Sequence, residues 1–501
     1  MVTTPQTIPP AFSDLGATAK LYAHLAEAMP RVTPHYAVKC FPDPAIMATL
    51  AAMGCGFDCA SAGELELVKS LGVDVSTRVI FANPCKRFAD LAAISTHGVQ
   101  LTTFDGPEEL EKIAKRCPGV GCVLRLRADD PTARMPFGVK YGALESEVRG
   151  LLSKALSLGL AVAGVSFHVG SGAGSPDAYR RALSRCRAAL DVLDALDPAG
   201  AASRPFVVDI GGGLTGGFDA ATGAAFVCVG DSGPDAVARA VNGALDDHFP
   251  PATFPAVRVI SEPGRYFAEA SAHIVARVFG KRERLNAALQ VAAAAPPAAV
   301  TVIDLVPSGS EEEEEEKEER ADSALEGGGG AATKEAAKEV AAKGGGEVHY
   351  YISDGVYGGF NAIIYDGMVP TAVPFRIAQP TADGEAPGGV GAAPATATVL
   401  GQPPRHGALA TVFGPTCDSL DMVFSALAGC PDMEVGDYLL FPTCGAYTAT
   451  GATDFNGIPS TFQGGVRRFY VAAADHAHAA ADFHLPKLHG PIAPLSVKKN
   501  F

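Results

Sequence analysis

Long apolar runs are absent from this 501-residue sequence. None approaches the roughly 20 residues that a membrane-spanning helix requires, so a membrane protein is not expected. Positive charge is also scarce: 40 Lys and Arg residues stand against 55 Asp and Glu residues, a net charge of −15, which excludes the basic surface of a nucleic-acid-binding protein. Residues 311–320 (EEEEEEKEER) hold eight acids and two bases, which leaves the rest of the chain only mildly acidic.

Targeting signals and metal-binding cysteine patterns are missing as well. The first 16 residues have neither the basic flank and apolar stretch of a secretory signal nor the Arg-rich character of a transit peptide, which predicts a cytoplasmic protein. The 11 cysteines are scattered, and Cys55 and Cys59 have no second pair of thiols or histidines nearby to complete a metal site. We therefore predict no metal and expect reduced thiols, mostly as small core residues.

Strand and helix patterns alternate through the first half of the chain. With 48% hydrophobic residues, a chain of this length can bury a large core and form about two or three domains. From Thr33 to Gly264, short apolar or β-branched runs alternate with helical patterns, which is typical of a parallel sheet with crossover helices. The candidate strands begin at residues 35, 57, 78, 101, 121, 161, 205 and 257, over a length close to the roughly 250 residues of a (β/α)8 barrel. A doubly wound sheet is the alternative.

Chemically unusual residues lie at or just beyond the C-terminal ends of these candidate strands. This favours the barrel, because barrel active sites are built on that face, and independent core strands would not end so regularly in polar groups. The residues are Lys39, Asp58, Asn83, Asp105, Arg125, His168, Gly211–Gly213 and Glu262. We therefore predict an α/β fold with a (β/α)8 TIM-like barrel over residues 17–268.

The character of the sequence changes after Phe267. Short strand-like runs separated by Pro, Gly and Thr clusters predict a mainly β C-terminal domain over residues 269–501, with residues 1–16 packing against it. Two inserts interrupt this domain. Residues 283–346 contain too few large apolar side chains to pack, and residues 377–405 are rich in Pro, Ala and Gly, so both are predicted to be disordered.

Lys39 ends an apolar strand in the segment PRVTPHYAVKC. A charged lysine is costly to bury, so either it pairs with a carboxylate or its pKa falls and it becomes an amine nucleophile. Taken alone, an ion-paired lysine is the more frequent case.

Three other strand ends carry groups with ordinary structural explanations when each is taken separately. DIGGG places Gly211–Gly213 where bare N–H groups can approach a phosphate, although glycines also make plain βα turns. SFHVGSG supplies His168 and Ser171, and a lone histidine is commonly a core residue. SEPGR supplies Glu262 and Arg265, for which a local ion pair is the ordinary explanation.

Together, these groups fit one cofactor. Pyridoxal phosphate needs a lysine for a Schiff base, a carboxylate that keeps the pyridine nitrogen protonated, a flat partner against the ring and backbone donors for the phosphate. The sequence supplies all four groups, in Lys39, Glu262, His168 and the Gly211–Gly213 loop. This predicts pyridoxal 5'-phosphate as the cofactor.

A series of motifs runs from Pro30 to Gly457 and covers nearly all the chain except the two inserts and the tail. They are PRVTPHYAVKC, GFDCASAGEL, FANPCK, TTFD, KYGA, SFHVGSG, DIGGG, EPGRYF, YYISDGVYGGFNAIIYD, FGPTCDSLD, GDYLLFPTCGAYT and FNG. In content and order they resemble the pyridoxal-phosphate-dependent ornithine/lysine/arginine decarboxylases, a family that shares the alanine-racemase barrel.

The resemblance implies a role for each matching residue. Lys39 is expected to form the Schiff base, Glu262 to hold the pyridinium proton and His168 to stack on the ring. Asp58 and Arg125 are expected to order the pocket around the cofactor. The residues expected at the phosphate are Ser171, Gly211, Gly212, Gly213, Arg265 and Tyr447, with Gly264 close by.

The resemblance also implies a head-to-tail homodimer with two composite sites. Cys417 and Asp418 are expected to reach into the partner subunit's site, where Cys417 would be the catalytic acid that protonates the α-carbon. Asp366 and Asp418 are expected to bind the distal ammonium of the substrate, and Tyr357 to line the same pocket.

The two aspartates suit a compact alkylammonium, whereas the longer, forked guanidinium of arginine needs a different pocket. Arginine-specific relatives carry a glutamate at the position of Asp366. The predicted reaction is therefore decarboxylation of L-ornithine to putrescine and CO2, the first step of polyamine synthesis. Gly367 departs from the family, because ornithine-specific relatives have a histidine there and relatives that accept lysine change it. Lysine or dual lysine/ornithine decarboxylation is thus the alternative.

A third hypothesis is a non-catalytic regulator that resembles the antizyme inhibitors of this family. Those relatives lose cofactor-contacting and catalytic residues, whereas this sequence retains them, which favours an enzyme. The tail after Asn456 does not resemble the degradation-signal tail of animal relatives, so no antizyme partner is inferred.

Overall fold

The computed structural model describes residues 11–137, 140–201, 204–284, 347–377, 397–400, 409–427, 430–460 and 468–471. Eight parallel strands close into a barrel, which confirms the predicted fold of the first domain. In barrel order they are β11 (Val257–Ser261), β2 (Val32–Ala37), β3 (Gly56–Cys59), β4 (Val79–Phe81), β5 (Leu101–Phe104), β6 (Gly121–Leu126), β7 (Val162–Phe167) and β8 (Phe206–Asp209).

Helices connect these strands and form the outer layer of the barrel. Several begin where the sequence supplies a capping side chain: Asp43, Ser61 and Asp74 each accept a hydrogen bond from a backbone N–H of the following helix. The helices are α1 (Leu15–Ala28), α2 (Pro44–Ala52), α3 (Ala62–Ser70), α4 (Val75–Arg78), α5 (Phe88–His97), α6 (Pro107–Arg116), α7 (Glu145–Ser157), α8 (Pro176–Leu196), α9 (Pro198–Ala201), α10 (Ala236–His248) and α11 (Arg265–Ala268). A hairpin of β9 (Thr215–Phe218) and β10 (Ala225–Cys228) precedes α10.

The barrel interior begins as an apolar plug and becomes polar towards one end. Ile80, Val123, Val207 and Ile260 form a buried cluster of their own inside the barrel. Side chains two residues apart on a strand point to the same face. Two residues after a member of this cluster, on three different strands, stand Arg125, Asp209 and Glu262. Their charged side chains therefore point into the barrel at its C-terminal mouth.

The second domain is a nine-stranded sheet built around the long strand β12 (Ala272–Arg284). Its strand order is β15 (Ala397–Val399), β14 (Val373–Ile377), β18 (Tyr438–Phe441), β12, β13 (Glu347–Ile352), β16 (Leu409–Phe413) and β17 (Met422–Leu427). β1 (Ala11–Asp14) pairs with β12 and with β19 (Arg468–Val471), so both ends of the described chain join this sheet. The predicted mainly β second domain is confirmed.

Most residues of the two predicted disordered inserts lie outside the described residues. Ala397–Val399, inside the predicted second insert, forms strand β15 and pairs with β14. Among the described residues, no helix combines the length and the apolar character needed to cross a bilayer.

Candidate active site

Lys39 lies in a short 3-10 turn, Val38–Cys40, directly after β2. Its Nζ donates a hydrogen bond to Asp58 Oδ2 on the neighbouring strand β3, whose side chain is fully buried. Burial opposes the charge on Lys39, but the carboxylates of Asp58 and Glu262 outweigh it and raise the pKa of the amine. Of the two alternatives for Lys39, the structure therefore shows the ion-paired one.

Glu262 and Asp209 place two further carboxyl groups beside Lys39. Glu262 is 8% exposed and Asp209 is fully buried. Burial, and then the charges of Asp209 and Asp58, raise the pKa of Glu262 well above its usual value. Burial likewise raises the pKa of Asp209 to about 7, while Arg125 acts in the opposite direction. The mouth of the barrel is therefore a cluster of acids around Lys39 and Arg125.

His168 presents a neutral ring at the same mouth. Burial, followed by the charges of Arg125 and Lys39, lowers the pKa of the imidazole well below its usual value. Its Nδ1 accepts a hydrogen bond of 3.1 Å from Gly170 N, and the ring centroid lies 4.6 Å from that of Phe137. The ring is thus uncharged and held between backbone and aromatic contacts.

Arg265, at the start of α11, is the main cation beside this cluster. It is 3% exposed, and its Nη2 donates to Ser171 Oγ at 3.0 Å and to both oxygens of Asp366 at 2.7 Å. The Tyr447 ring centroid lies 5.2 Å from its Cζ. Tyr447 N donates to Cys40 O at 2.9 Å, which joins the sheet domain to the turn that carries Lys39. The structure thus brings Ser171, Arg265, Asp366 and Tyr447 together.

The glycines after β8 are required by close backbone approaches. Gly211 and Gly213 have φ of +64° and +100°, a region that L side chains rarely adopt. A Cβ on Gly211 would lie 2.2 Å from Phe167 O, and one on Gly212 would lie 2.9 Å from His168 Nε2. Gly264 is similarly tight, since its Cβ would lie 2.7 Å from Cys40 Cβ. These loops therefore pack closely against their neighbours, and Gly211 N donates to Asp209 Oδ1 at 2.9 Å.

A second group of predicted residues lies on the sheet domain. Tyr357 donates from its hydroxyl to Asp418 Oδ2, and its ring stacks on Phe455 with centroids 4.2 Å apart. Cys417 is exposed, and its Sγ lies 3.5 Å from Asn456 Oδ1. Within the described part of a single chain, no hydrogen bond or ion pair joins Tyr357, Cys417 or Asp418 to the barrel-mouth cluster. The predicted site residues therefore form two groups.

Several residues at the barrel mouth were not predicted from the sequence. Asp209 was hidden inside the DIGGG motif, although its spacing of two from Val207 indicates an inward side chain. Arg134 and Phe137 lie in the loop after β6, and the side chain of Arg134 makes long-range contacts: its Nη1 lies 3.4 Å from Glu269 Oε1 and 3.5 Å from Asp366 Oδ2. No local pattern marks that loop, so only the fold reveals it.

Comparison with known proteins gives the family. The model for the pyridoxal binding domain of pyridoxal-dependent decarboxylases matches residues 15–269, and the model for their C-terminal sheet domain matches residues 332–445. The chain belongs to the pyridoxal-dependent decarboxylases. Curated relatives include "Ornithine decarboxylase, chloroplastic" from Nicotiana glauca, 33% identical over 89% of this chain and 80% of the relative, and "Ornithine decarboxylase" from Rattus norvegicus, 33% identical over 89% of this chain and 77% of the relative.

Solved structures place this decarboxylase among enzymes with different named substrates. The arginine decarboxylase of Paramecium bursaria Chlorella virus bound to agmatine has a TM-score of 0.66 and 29% identity, covering 93% of this chain and 96% of the other. The lysine/ornithine decarboxylase of Vibrio vulnificus complexed with putrescine has a TM-score of 0.62 and 25% identity, covering 92% and 94%.

The cofactor of this decarboxylase is pyridoxal 5'-phosphate. The donor set at the barrel mouth fits it: an amine, a carboxyl group, a flat neutral ring, and an arginine beside a hydroxyl group. The buried Nε of Arg265 also has no hydrogen-bond partner among the described residues. The residues present therefore match the needs of a phosphorylated pyridine aldehyde.

Proposed function

We propose that this enzyme decarboxylates L-ornithine to putrescine and CO2, the first step of polyamine synthesis. The observation that carries the proposal is the similarity to curated ornithine decarboxylases over 89% of the chain. When bound, pyridoxal phosphate supplies an aldehyde for the substrate amine and a protonated ring that withdraws electrons from the α-carbon as CO2 leaves.

The barrel residues are proposed to hold and tune the cofactor. Lys39 would bond to its aldehyde and be displaced by the substrate amine, with Asp58 beside it as hydrogen-bond acceptor. Glu262 would hold a proton at the pyridine nitrogen, His168 would pack flat against the ring, and Arg125 would order the carboxylates. The proposed phosphate site consists of Ser171, Gly211, Gly212, Gly213, Gly264, Arg265 and Tyr447, where an arginine and backbone N–H groups converge.

A head-to-tail homodimer is proposed to complete each site. Cys417 is exposed in the single chain, and Leu420 and Phe455 beside it are 53% and 39% exposed, which supports burial of this surface against a partner. In the dimer, Cys417 would protonate the α-carbon in the partner's site. Sedimentation of a dimer, and restored activity on mixing inactive Lys39→Ala and Cys417→Ala chains, would be the expected results.

The distal ammonium of the substrate is proposed to bind Asp366 and Asp418, with Tyr357 lining the pocket. Asp366 is 6% exposed and lies at the barrel mouth, and Tyr357 holds Asp418 through its hydroxyl. Hydrogen bonding from Leu420 N and from Tyr357 lowers the pKa of Asp418, so this carboxylate stays charged. Two carboxylates suit a compact ammonium group.

Lysine or dual lysine/ornithine decarboxylation is the second candidate, and Gly367 favours it. Gly367 is exposed and has a φ of +61°, and apart from its own neighbours in the chain no described atom lies within 4 Å of the position that a Cβ would occupy. Open space directly after Asp366 would accommodate one more methylene.

The deciding experiment compares specificity constants for ornithine, lysine and arginine with purified protein and pyridoxal phosphate. Strong preference for ornithine is expected, and comparable turnover of lysine would move the second candidate to the front. Lys39→Ala should abolish turnover, whereas Lys154→Ala, which removes a half-buried lysine of α7 that pairs with Glu111, should not. Absence of turnover with all three amino acids despite bound cofactor would favour a non-catalytic regulator.

A cytosolic location stays a prediction. One relative is named chloroplastic, so fractionation of the native protein with cytosolic and organelle markers is the deciding measurement.

A further inference from the structure

Asp209 and Glu262 lie side by side at the barrel mouth, and no third group among the described residues donates a hydrogen bond to the buried Oδ2 of Asp209. Asp209 ends β8 and is fully buried. Its Oδ1 accepts a hydrogen bond of 2.9 Å from Gly211 N, but its buried Oδ2 receives none from any N–H or O–H of the described residues. Strand pairing brings Glu262 beside it: Ile260 lies opposite Asp209 in the parallel β8–β11 pair, and Glu262 N donates to Gly211 O at 2.7 Å. Two ionised carboxylates in this position would repel each other.

The buried acids around Lys39 outnumber the neighbouring cations by one. Three buried carboxyl groups, those of Asp58, Asp209 and Glu262, share two cations, Lys39 and Arg125, and Lys39 is already bonded to Asp58. His168 is neutral and supplies no further charge. The titratable groups that face the pair are Lys39 after β2, Asp58 on β3, Arg125 on β6, His168 after β7 and Cys186 on α8.

We propose that Asp209 and Glu262 share one proton at neutral pH, with Glu262 donating it to Asp209 Oδ2, and that Asp209 is the residue that positions Glu262 and keeps it basic. In such a carboxyl pair the two groups are not both ionised, because their negative charges would repel each other at short distance. Asp209 suits the acceptor role, because Gly211 N and Arg125 both stabilise its negative charge.

In the proposed function, on which this part of the inference rests, Asp209 affects the reaction through Glu262. A group that holds a proton at the pyridine nitrogen must be strongly basic. The negative charge of Asp209 raises the proton affinity of Glu262, and the hydrogen bond fixes the direction of its carboxyl. Asp209 touches neither cofactor nor substrate in this arrangement and acts through Glu262.

The first test counts protons on the protein without cofactor, so it does not depend on activity. At about pH 8, unfolding ionises both carboxyls and releases the shared proton, which calorimetric unfolding in buffers of different ionisation enthalpy measures. Glu262→Gln should lower the number of protons released by about one, because Glu262 donates the shared proton. Asp209→Asn should lower it by up to about one, because burial and Asp58 still raise the pKa of Glu262 in that variant. The double variant should also lower it by about one rather than two, because the pair holds a single proton.

Asp90→Asn is the matched control. Asp90 is also buried, 1% exposed, but hydrogen bonds from Arg87 lower its pKa, so it is ionised in the folded protein and its replacement should not change proton release at about pH 8. Unchanged proton release in both Asp209→Asn and Glu262→Gln would overturn the shared proton. Additive losses in the double variant would equally overturn it. If one single variant fails to fold, the other still decides.

The second test separates the positioning role from the shared proton. With bound cofactor, Asp209→Asn should lower kcat for the preferred substrate at least about tenfold and leave KM nearly unchanged, since Glu262 acts on the ring and not on the substrate. The 15N chemical shift of labelled pyridoxal phosphate should move towards that of the neutral pyridine. Wild-type kcat and 15N shift in Asp209→Asn would refute the positioning role. A wild-type protein inactive on every amino acid would refute the proposed function and leave the proton count unaffected.

Discussion

Replacing Asp366 by asparagine tests how the barrel mouth recognises its substrate. Asp366 is 6% exposed, both of its oxygens lie 2.7 Å from Arg265 Nη2, and Arg134 Nη1 lies 3.5 Å from Oδ2. The amide keeps the shape of the side chain but removes its negative charge. Asparagine therefore weakens binding of a distal ammonium without opening a cavity.

The expected magnitudes follow from these contacts. A hydrogen bond to a charged group contributes about 1.5–3 kcal/mol, so KM for ornithine should rise roughly 10- to 150-fold. The effect on kcat should be smaller, because Asp366 is proposed to bind the end of the substrate remote from the reacting carbon. Removing one partner of a buried ion pair costs about 3–5 kcal/mol of unfolding free energy. Glu269 Oε1 remains 3.4 Å from Arg265 Nη1 as a counter-charge, so we expect about 3 kcal/mol, the lower end of that range.

The assay combines steady-state kinetics with urea unfolding of the same preparations. Glu269→Gln is the control, because Glu269 contacts the same two arginines and has no place in the proposed substrate site. It should lose some stability and keep the wild-type KM for ornithine. A folded Asp366→Asn enzyme with wild-type KM, or an equal rise of KM in both variants, would refute the assignment of Asp366.

Three further predictions concern specificity, stability and pH. Gly367→Ala should cost about 1 kcal/mol of unfolding free energy, because alanine disfavours a φ of +61°. It should also lower kcat/KM for lysine more than for ornithine. Equal effects on both substrates would contradict a role of Gly367 in making room for the longer substrate. Lys86→Met should cost about 3 kcal/mol in denaturant unfolding, the lower end of the range for a buried ion pair, because Lys112 remains as a counter-charge to Glu109. The buried Lys86 Nζ lies 3.0 Å from Glu109 Oε1 and donates to Thr103 O at 2.7 Å, and a loss below about 1 kcal/mol would show that the pair adds little. Burial lowers the pKa of His35 to about 4. As the pH falls, this histidine therefore becomes protonated in the unfolded chain before it does so in the folded protein. Between about pH 6.5 and pH 4 the free energy of unfolding should fall by up to about 3 kcal/mol. In His35→Asn this part of the acid dependence should disappear from thermal unfolding profiles, and an unchanged profile would assign it to other groups.

The barrel could be predicted because its signals are local. Each candidate strand is a short apolar run that ends in a polar or glycine residue, and the structure turns all eight runs into parallel barrel strands. Lys39, Glu262 and His168 follow three different strands. Because parallel strands present their C-terminal ends at one face, the sequence alone was enough to predict that these residues meet.

Contacts between distant loops could not be predicted in the same way. Arg134 contacts Asp366 although the two residues are far apart in the sequence, and Asp366 faces Arg265 rather than lying beside Tyr357 and Asp418. Which loops touch depends on how the sheet domain docks on the barrel, for example through Tyr447 N and Cys40 O. No periodicity in the sequence encodes that docking.

The two-domain fold and the family could be predicted from the sequence, because hydrophobic periodicity and strand-end motifs are properties of neighbouring residues. Which charges meet, and in what protonation state, depends on the tertiary structure. It paired Lys39 with Asp58, buried Asp209 and Glu262 side by side and lowered the pKa of His168. Protonation depends on burial and on charges a few ångströms away, and those distances exist only once the chain has folded.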